Sequence, residues 1–518
     1  MTKNLTQAVP IIILDFGSQY TQLIARRIRE MKIYCEVHPF DVSLETLKRK
    51  RPKGLILSGG PTSVHKAQAY SSTDVFSLSI PILGICYGMQ MMAFKLGGQV
   101  TSSDAGEYGQ AECDIINESA LFSGVSGSSL NVWMSHGDCV CEVPSDFKIV
   151  AKTSHAPIAA MENSAQGLYG LQFHPEVTHT IEGAKILHNF AIKICGCAKS
   201  WEPENIIDDS IQYIQQRVGS EGVILGLSGG VDSSVVAALL HQAIPDQLTC
   251  LFVDNGLLRQ GEVASVKHAF QEGLGIKLIC VDAKQRFLEA LAGINDPEKK
   301  RKVIGGIFVD IFEEEAQKLN GIKWLAQGTI YPDVIESASQ NGANAHTIKS
   351  HHNVGGLPER MQLKLVEPLR SLFKDEVRLI GKKLGLPDTL IYRHPFPGPG
   401  LAIRIMGEVQ PAFLTLLRKC DYIFMEMLHT DKWYHQLAQA FCVFLPVKSV
   451  GVIGDKRNHA HVVCLRAVTS EDYMTADVAT LPFDFLQKVA NRIVNEVPGI
   501  SRVTYDITRK PPATIEWE

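Results

Sequence analysis

Between Gly222 and Leu240 the chain reads GVILGLSGGVDSSVVAALL: an apolar β-rich run, a cluster of small residues, then an apolar helical pattern. A buried strand that feeds a buried helix through a tight loop commits this part of the chain to a parallel α/β arrangement. The small residues, Ser228-Gly229-Gly230-Val231-Asp232-Ser233-Ser234, suit a phosphate. Glycines let backbone N–H groups converge, serines add hydroxyl donors, and the helix turns its positive end toward the anion. The lysine of the common G-x-x-x-x-G-K-[ST] loop is absent, which argues against γ-phosphoryl transfer. Asp232 stands in the loop instead, placed to hold Mg²⁺ near phosphates. The pattern is not G-x-G-x-x-G either, which weighs against a dinucleotide fold. The plain structural alternative is a serine/glycine N-cap on a buried helix.

The same alternation of strand and helix runs through most of the chain. IIILDF, GLILSGG and IPILGI are short buried-strand patterns separated by helical ones such as TQLIARRIREM, and GLYGLQFHPEV adds a late strand. After a break at CGCAKSWEPEN, Ile207, Ile211, Ile214 and Val218 form a helical stripe that Gly219 can end. A second series follows in GVILGL, LTCLFVD, GIKLICVD and NGIKWLAQGT. RHPFPGPG, Arg393 to Gly400, marks a further boundary, beyond which KSVGVIG and AHVVCLRAV flank the turn-like DKRNH as an antiparallel pair. The expected fold is α/β: two consecutive mostly parallel-sheet domains, residues 1–200 and 201–394, then a smaller α+β domain, 395–518. A length of 518 residues at roughly 150 residues per domain agrees with three. Ser337 to Arg360 has little periodicity and is a candidate lid.

Composition closes off other classes. A net charge of −4 gives no electrostatic case for nucleic acid or an anionic membrane surface. No apolar run reaches ~18 residues, and the N-terminal stretch lacks a cleavable-signal pattern, so the expected location is cytoplasmic. The cysteines follow no framework spacing, which suits a reducing compartment. Cys139-Val-Cys141 and Cys195-Gly-Cys197 lack a second pair at zinc-ligand spacing, and read as small hydrophobes or surface thiols.

One cysteine differs from the rest. Cys86 lies between a strand and a helix within Gly84-Ile85-Cys86-Tyr87-Gly88. A nucleophile at such a turn needs small neighbours, and the helix N-terminus favours its thiolate. His174 and Glu176, in LQFHPEV, lie two apart on an extended chain and so on one side, ~7 Å from each other. Glu176 would hold the imidazole tautomer while His174 exchanges a proton with Cys86. Backbone N–H groups near Gly59, in LILSGGP, and at Tyr87 are candidates for an oxyanion site, one such donor being worth ~3 kcal/mol.

GICYGMQ, LSGGP and FHPE together resemble the class I glutamine amidotransferases, over about the first 190 residues. The resemblance implies that Cys86 attacks the side-chain amide of glutamine, releasing ammonia and leaving a thioester that water hydrolyses. It also implies that Gln90 and the MSHGD segment, including Asp138, shape the glutamine pocket. SGGVDSS resembles the pyrophosphate loop of the adenylating ATP pyrophosphatases, which cleave ATP between the α- and β-phosphates. On that resemblance LTCLFVDNGLLR is the strand beside the adenine. The resemblance also implies that Lys374, in SLFKDEV, neutralises the leaving pyrophosphate; on its own Lys374 reads as a solvated helix lysine.

The order of the two parts, with RHPFPGPGLAIRI and DITRKPPATIEWE in the final third, resembles the glutamine-hydrolysing GMP synthetase family over essentially the whole chain. The implied substrates are XMP, ATP and glutamine, with Mg²⁺, in a homodimer formed through the last domain. Lys510 and Glu516 would then lie near XMP, with Arg301 near its phosphate. The bland alternatives are a frayed polar tail and a surface run EKKRK. Loss of the last few residues is accordingly expected to abolish synthesis without disturbing folding. Another glutamine-fed adenylating ligase and a tRNA-modifying ATP pyrophosphatase are the competing readings. A non-catalytic sensor is disfavoured by the presence of both Cys86 and His174.

Overall fold

The computed structural model describes residues 9–66, 74–319, 321–334, 363–453, 456–470, 473 and 475–518. The chain divides into two compact units, Met1–Asn205 and Ile206–Glu518. The candidate lid, Ser337 to Arg360, lies outside the described residues.

The first unit is built on a nine-stranded sheet. Five strands form its parallel half: β1 (Ile11–Asp15), β2 (Cys35–Pro39), β3 (Gly54–Leu57), β4 (Ile82–Ile85) and β9 (Leu168–Leu171). The runs IIIL of β1 and GLIL of β3 are buried at every position, as strands covered on both faces must be. The other half is antiparallel: β5 (Gln99–Ile115), β6 (Ser129–Glu142), β7 (Lys148–Lys152) and β8 (Ala160–Asn163). The sheet runs β2-β1-β3-β4-β9-β8-β7-β5-β6. It is therefore mixed, and its antiparallel half is absent from the sequence reading. β6 alternates buried and solvated positions along most of its length, a weaker signal than an unbroken apolar run. The helix that follows β4, Tyr87–Lys95, is buried from Tyr87 to Ala93.

The second unit begins in the helix Pro203–Val218, whose buried positions are Ile206, Ser210, Ile214 and Val218. The stripe is thus rotated by one residue from Ile207 and Ile211 at its first two positions, and Gly219, at φ +62°, ends it as expected. Next comes a five-stranded parallel sheet of β10 (Gly222–Gly226), β11 (Leu248–Asp254), β12 (Leu278–Asp282), β13 (Ile322–Ala326) and β14 (Lys364–Val366). Its order is β12-β11-β10-β13-β14. The chain therefore fills one side of β10 and then the other, which opens a crevice at the C-terminal end of β10. The serine-glycine loop leaves the sheet at that point.

A second, four-stranded sheet holds β15 (Gln439–Ile453), β16 (Lys456–Thr469), β17 (Asp477–Val478) and β18 (Ile500–Tyr505). β15 and β16 are the expected antiparallel pair, but their pairing reaches Ile453↔Lys456. Most of DKRNH is therefore strand rather than turn. The helices Pro411–Thr430 and Phe483–Glu496 cover this sheet. One apolar cluster runs from Ile224, Leu251 and Leu325 to Leu401, Leu417, Phe444, Val489 and Ile500. It joins residues on both sides of position 394. Among the described residues no helix is long and apolar enough to cross a membrane.

Candidate active sites

Cys86 links β4 to the helix Tyr87–Lys95 with φ +51° and ψ −107°, a conformation that non-glycine residues rarely adopt. Its neighbours leave no room for anything larger. A Cβ on Gly84 would lie 2.6 Å from the Gly88 backbone, and one on Gly88 would lie 2.3 Å from the Leu57 carbonyl. The turn is over-determined by packing, so the strain is carried at Cys86.

The candidate base, His174, stands beside it. His174 Nδ1 is 2.7 Å from Glu176 Oε1, and both side chains are buried. A carboxylate only accepts, so Nδ1 carries the proton and Nε2 is left for the Cys86 thiol. Burial by itself pulls the His174 imidazole down. The charge and hydrogen bond of Glu176, with the neighbouring Cys86, nevertheless push it well above its ordinary value. The backbone of His174 is clamped as well: its N–H donates to Trp133 O at 3.0 Å, and Thr180 Oγ1 donates to its carbonyl at 2.7 Å. The Tyr20 ring meets the imidazole edge-on at 5.0 Å.

The other residues named for this site converge on it. A Cβ on Gly59 would stand 3.3 Å from His174 Cε1, so the end of β3 abuts the base. Tyr87 begins the helix, which puts its N–H next to Cys86. Gln90 Nε2 donates to Asp138 O at 2.6 Å, and the Asp138 carboxylate accepts from Ser63 Oγ at 2.5 Å. Gln172 escaped the sequence reading, whereas two further neighbours, Ser135 and His136, lie within the MSHGD segment expected at the pocket. Gln172 is fully buried with Nε2 3.8 Å from Cys86 Sγ, and Ser135 O is 3.6 Å from the same sulfur. His136 is buried, with Nδ1 3.0 Å from Asp138 O and Nε2 3.6 Å from Glu107. Gln172 had a signal: it precedes His174 by two, as His174 precedes Glu176.

In the second unit the loop between β10 and the helix Val231–Ala243 is folded by its own hydroxyls. Ser228 Oγ lies 3.0 Å from Ser233 Oγ, Gly230 N donates to Ser228 Oγ at 3.3 Å, and Ser234 Oγ donates to Gly230 O at 2.7 Å. Gly229 takes φ +73°, and a Cβ there would come 2.7 Å from Arg393 Nη1. Arg393 donates to Gly229 O at 2.7 Å and pairs with Glu262. Lys374 opens its own helix, Lys374–Lys383, and reaches Asp232 Oδ2 at 2.5 Å. The structure thus brings together the loop residues and Lys374, although 142 positions separate the ion pair. Among the described residues Asp232 Oδ1 is buried without a hydrogen-bond partner. A free carboxylate oxygen at a helix N-terminus fits a hard cation such as Mg²⁺.

The acceptor candidates are held in the last stretch of the chain. Arg404 is fully buried and grips Glu516 with Nη2–Oε1 at 2.8 Å and Nε–Oε2 at 3.1 Å, while Gln439 Nε2 adds 2.6 Å. The Arg404 guanidinium lies over the Phe441 and Phe396 rings at 4.1 and 5.1 Å. Arg301 donates to Glu518 O at 2.5 Å, and Lys510 donates to Tyr473 O at 2.7 Å. Buried Lys300 pairs with the Glu518 carboxylate, and Gly407 N donates to it at 3.0 Å. Buried Arg466 reaches Thr508 O, Thr514 O and Asp506 at 2.5, 3.2 and 3.2 Å. The segment from Asp506 to Glu518 is therefore pinned by three buried cations. This corrects the frayed-tail alternative, and with it the expectation that the last residues can be lost without disturbing the fold. The signal was present in RAV and AIRI, where an arginine sits inside an apolar run and must have a partner.

Comparison with known proteins adds an independent line. Residues 12–194 match the family model "Glutamine amidotransferase class-I", 204–303 match "NAD synthase", and 426–517 match "GMP synthase C terminal domain". A protein of Pseudomonas putida (strain W619) named GMP synthase [glutamine-hydrolyzing] is 59% identical over 516 residues, covering 98% of each chain. A protein of the same name from Pseudomonas aeruginosa (strain UCBPP-PA14) is also 59% identical, with 98% of each chain covered.

Proposed function

The chain belongs to the glutamine-hydrolysing GMP synthase family, and on that premise we propose how its residues divide the family's reaction. The overall conversion is XMP + ATP + glutamine + water → GMP + AMP + pyrophosphate + glutamate. A carbonyl oxygen is a poor leaving group, so ATP turns the purine C2 oxygen into an adenylate that ammonia can displace.

The first unit makes the ammonia. His174 Nε2 takes the Cys86 thiol proton, the thiolate attacks the glutamine amide carbon, and the N–H groups at Gly59 and Tyr87 receive the oxyanion. His174⁺ gives its proton to the departing ammonia, and water hydrolyses the thioester with His174 as base. Glu176 keeps Nδ1 protonated throughout, while Gln90 and Asp138 shape the pocket. The observation that carries this assignment is the buried His174–Glu176 pair, 2.7 Å long, beside a cysteine in a strained turn.

The second unit activates the acceptor. The N–H and hydroxyl groups of Ser228, Gly229, Gly230, Val231, Asp232, Ser233 and Ser234 hold the pyrophosphate as it leaves, and Lys374 neutralises it. Asp232 would hold Mg²⁺, which shields phosphate charge when bound. Arg301, Lys510 and Glu516 face XMP, Arg301 toward its phosphate. The three-part division at 200 and 394, a homodimer through the last part and a cytoplasmic location belong to the same proposal. Support for the dimer comes from Val447, Val450 and Val452, which stand exposed on the hairpin strand β15. Sedimentation at varied concentration checks it.

A product assay tests the reading. With ATP, Mg²⁺, XMP and glutamine the proposal requires AMP and pyrophosphate in step with GMP. ADP and phosphate in their place would overturn the reading of the loop.

A further inference from the structure

Gln172 is among the most deeply buried polar residues of the first unit, and the reaction as written gives it no task. Its Nε2 lies 3.8 Å from Cys86 Sγ, and its Oε1 lies 3.4 Å from Gln90 Nε2. The two ends of an amide are alike in shape, so which end faces the sulfur has to be settled by the surrounding bonds.

Those bonds settle it. The chain of contacts starts at Asp138 O, a main-chain carbonyl that can only accept. It accepts from Gln90 at 2.6 Å, so the Gln90 atom there is the NH₂ group. That same NH₂ has a second hydrogen, and the Gln172 atom within its reach must be the oxygen. The Gln172 nitrogen is then turned to Cys86 Sγ. His136 Nδ1, 3.0 Å from the same carbonyl, is likewise a donor and leaves the direction unchanged. Ser135 O, 3.6 Å from Sγ, is an acceptor. It suits the S–H form and has nothing to offer the thiolate.

We propose that Gln172 is the thiolate-holding residue of this site, an amide donor to Cys86 Sγ whose direction is imposed by Gln90 and the Asp138 carbonyl. This rests on Cys86 being the nucleophile. When Cys86 passes its proton to His174 Nε2, the electron pair stays on sulfur and the contact with Ser135 O loses its hydrogen. The Gln172 N–H then becomes a charge-assisted donor, which is stronger than a neutral one. A buried anion with a fixed donor needs no solvent to form. Gln90 thereby acquires a second task besides lining the pocket.

The test is alkylation of Cys86 by iodoacetamide, read by mass spectrometry of the Cys86 peptide across the neutral and alkaline range, in the parent and in Gln172→Leu. The leucine keeps the volume and removes the donor. The expected result is a rate about tenfold lower near neutrality that returns to the parent plateau at high pH. Glutaminase turnover should fall in step near neutrality, with ammonia-driven GMP synthesis unchanged. A profile that superimposes on the parent's overturns the proposal. So does one lowered equally at every pH, since that is the mark of a merely structural role. A second measurement needs no variant at Gln172: in the parent, its side-chain ¹⁵N resonance should move along the Cys86 alkylation profile and stay fixed in Cys86→Ala. A resonance that does not move in the parent overturns the proposal as well. Glutaminase activity retained in Cys86→Ala would instead remove the nucleophile assignment itself, which separates the two failures.

Discussion

The two units prepare for charge in opposite ways. In the first, Cys86, His174 and Glu176 are already brought together and buried, and the groups proposed to meet developing charge stand next to them. In the second, cations of the loop and of the last segment are already held inside the protein: Lys374 by Asp232, Arg393 by Glu262 and Arg404 by Glu516, while Arg301 and Lys510 donate to the Glu518 and Tyr473 carbonyls. A covalent catalyst creates its charge during the reaction, so its stabilisers must be in place beforehand. A site for highly charged substrates would repel itself when empty unless its cations had internal partners. Phosphates of ATP and XMP would then compete with those partners for the cations, and the energies of the pairs decide which exchange and which only support the fold. Lys374 and Asp232 are partly exposed and can exchange at small cost. Arg404 and Lys300 are fully buried, and breaking their pairs costs about 3–5 kcal/mol each.

That distinction can be broken at several places. Removing Ile515 to Glu518 strips carboxylates from both Arg404 and Lys300, a loss comparable with a domain's whole stability of about 5–15 kcal/mol. The second unit should then unfold in calorimetry and lose ammonia-driven synthesis, with the glutaminase of the first unit retained. A normal second-unit transition would show that the cations are not held by this segment. Glu516→Gln sharpens the same point, because it keeps the shape and removes one charge. Lys374→Met should slow the adenylating cleavage of ATP by about a hundredfold to a thousandfold, as loss of one pre-placed charge donor does. Its unfolding midpoint should barely move. A large stability loss there would place Lys374 with the structural cations.

Acid separates the units by a smaller amount. In the second unit burial pulls His394 down to about 4 and lowers His429 as well. Such groups are neutral when folded, so their contribution is whole above the ordinary histidine value. It is lost as pH falls from there through about 4. In the first unit burial lowers His136, but His174 is raised, and a raised histidine already makes its full contribution below the ordinary histidine value, so it loses nothing in the same window. Glu36 in that unit titrates later: burial would raise it, yet His38 and Lys50 hold it at about 2, so its contribution is whole above the ordinary value of 4.5 and is lost only as pH falls from there through about 2. Calorimetry on mild acidification should therefore lower the second-unit transition first, and the reverse order would contradict this balance.

The same contrast explains what could be read in the sequence. The cysteine turn and the serine-glycine loop are contiguous, because a sharp turn or a phosphate cradle is set by neighbours along the chain. The pair His174 and Glu176 is legible for the same reason. Arg404 and Glu516 lie 112 residues apart, and Lys300 and Glu518 lie 218 apart, so nothing local announces either partner. The antiparallel half of the first sheet was missed because β5 and β6 pair through alternating, half-solvated positions rather than unbroken apolar runs. Residues assigned to XMP came from resemblance alone. Seen in place, two of them, Arg301 and Glu516, make their contacts within the pinned segment, for which a frayed tail is the bland alternative in the sequence.

The central claim is that one unit makes ammonia and the other uses it. Cys86→Ala, supplied first with glutamine and then with ammonia, tests this most directly. The account predicts no GMP from glutamine and near-parental GMP, with matching AMP and pyrophosphate, from ammonia. GMP from glutamine in this variant, or none from ammonia while the second unit melts normally, would contradict it.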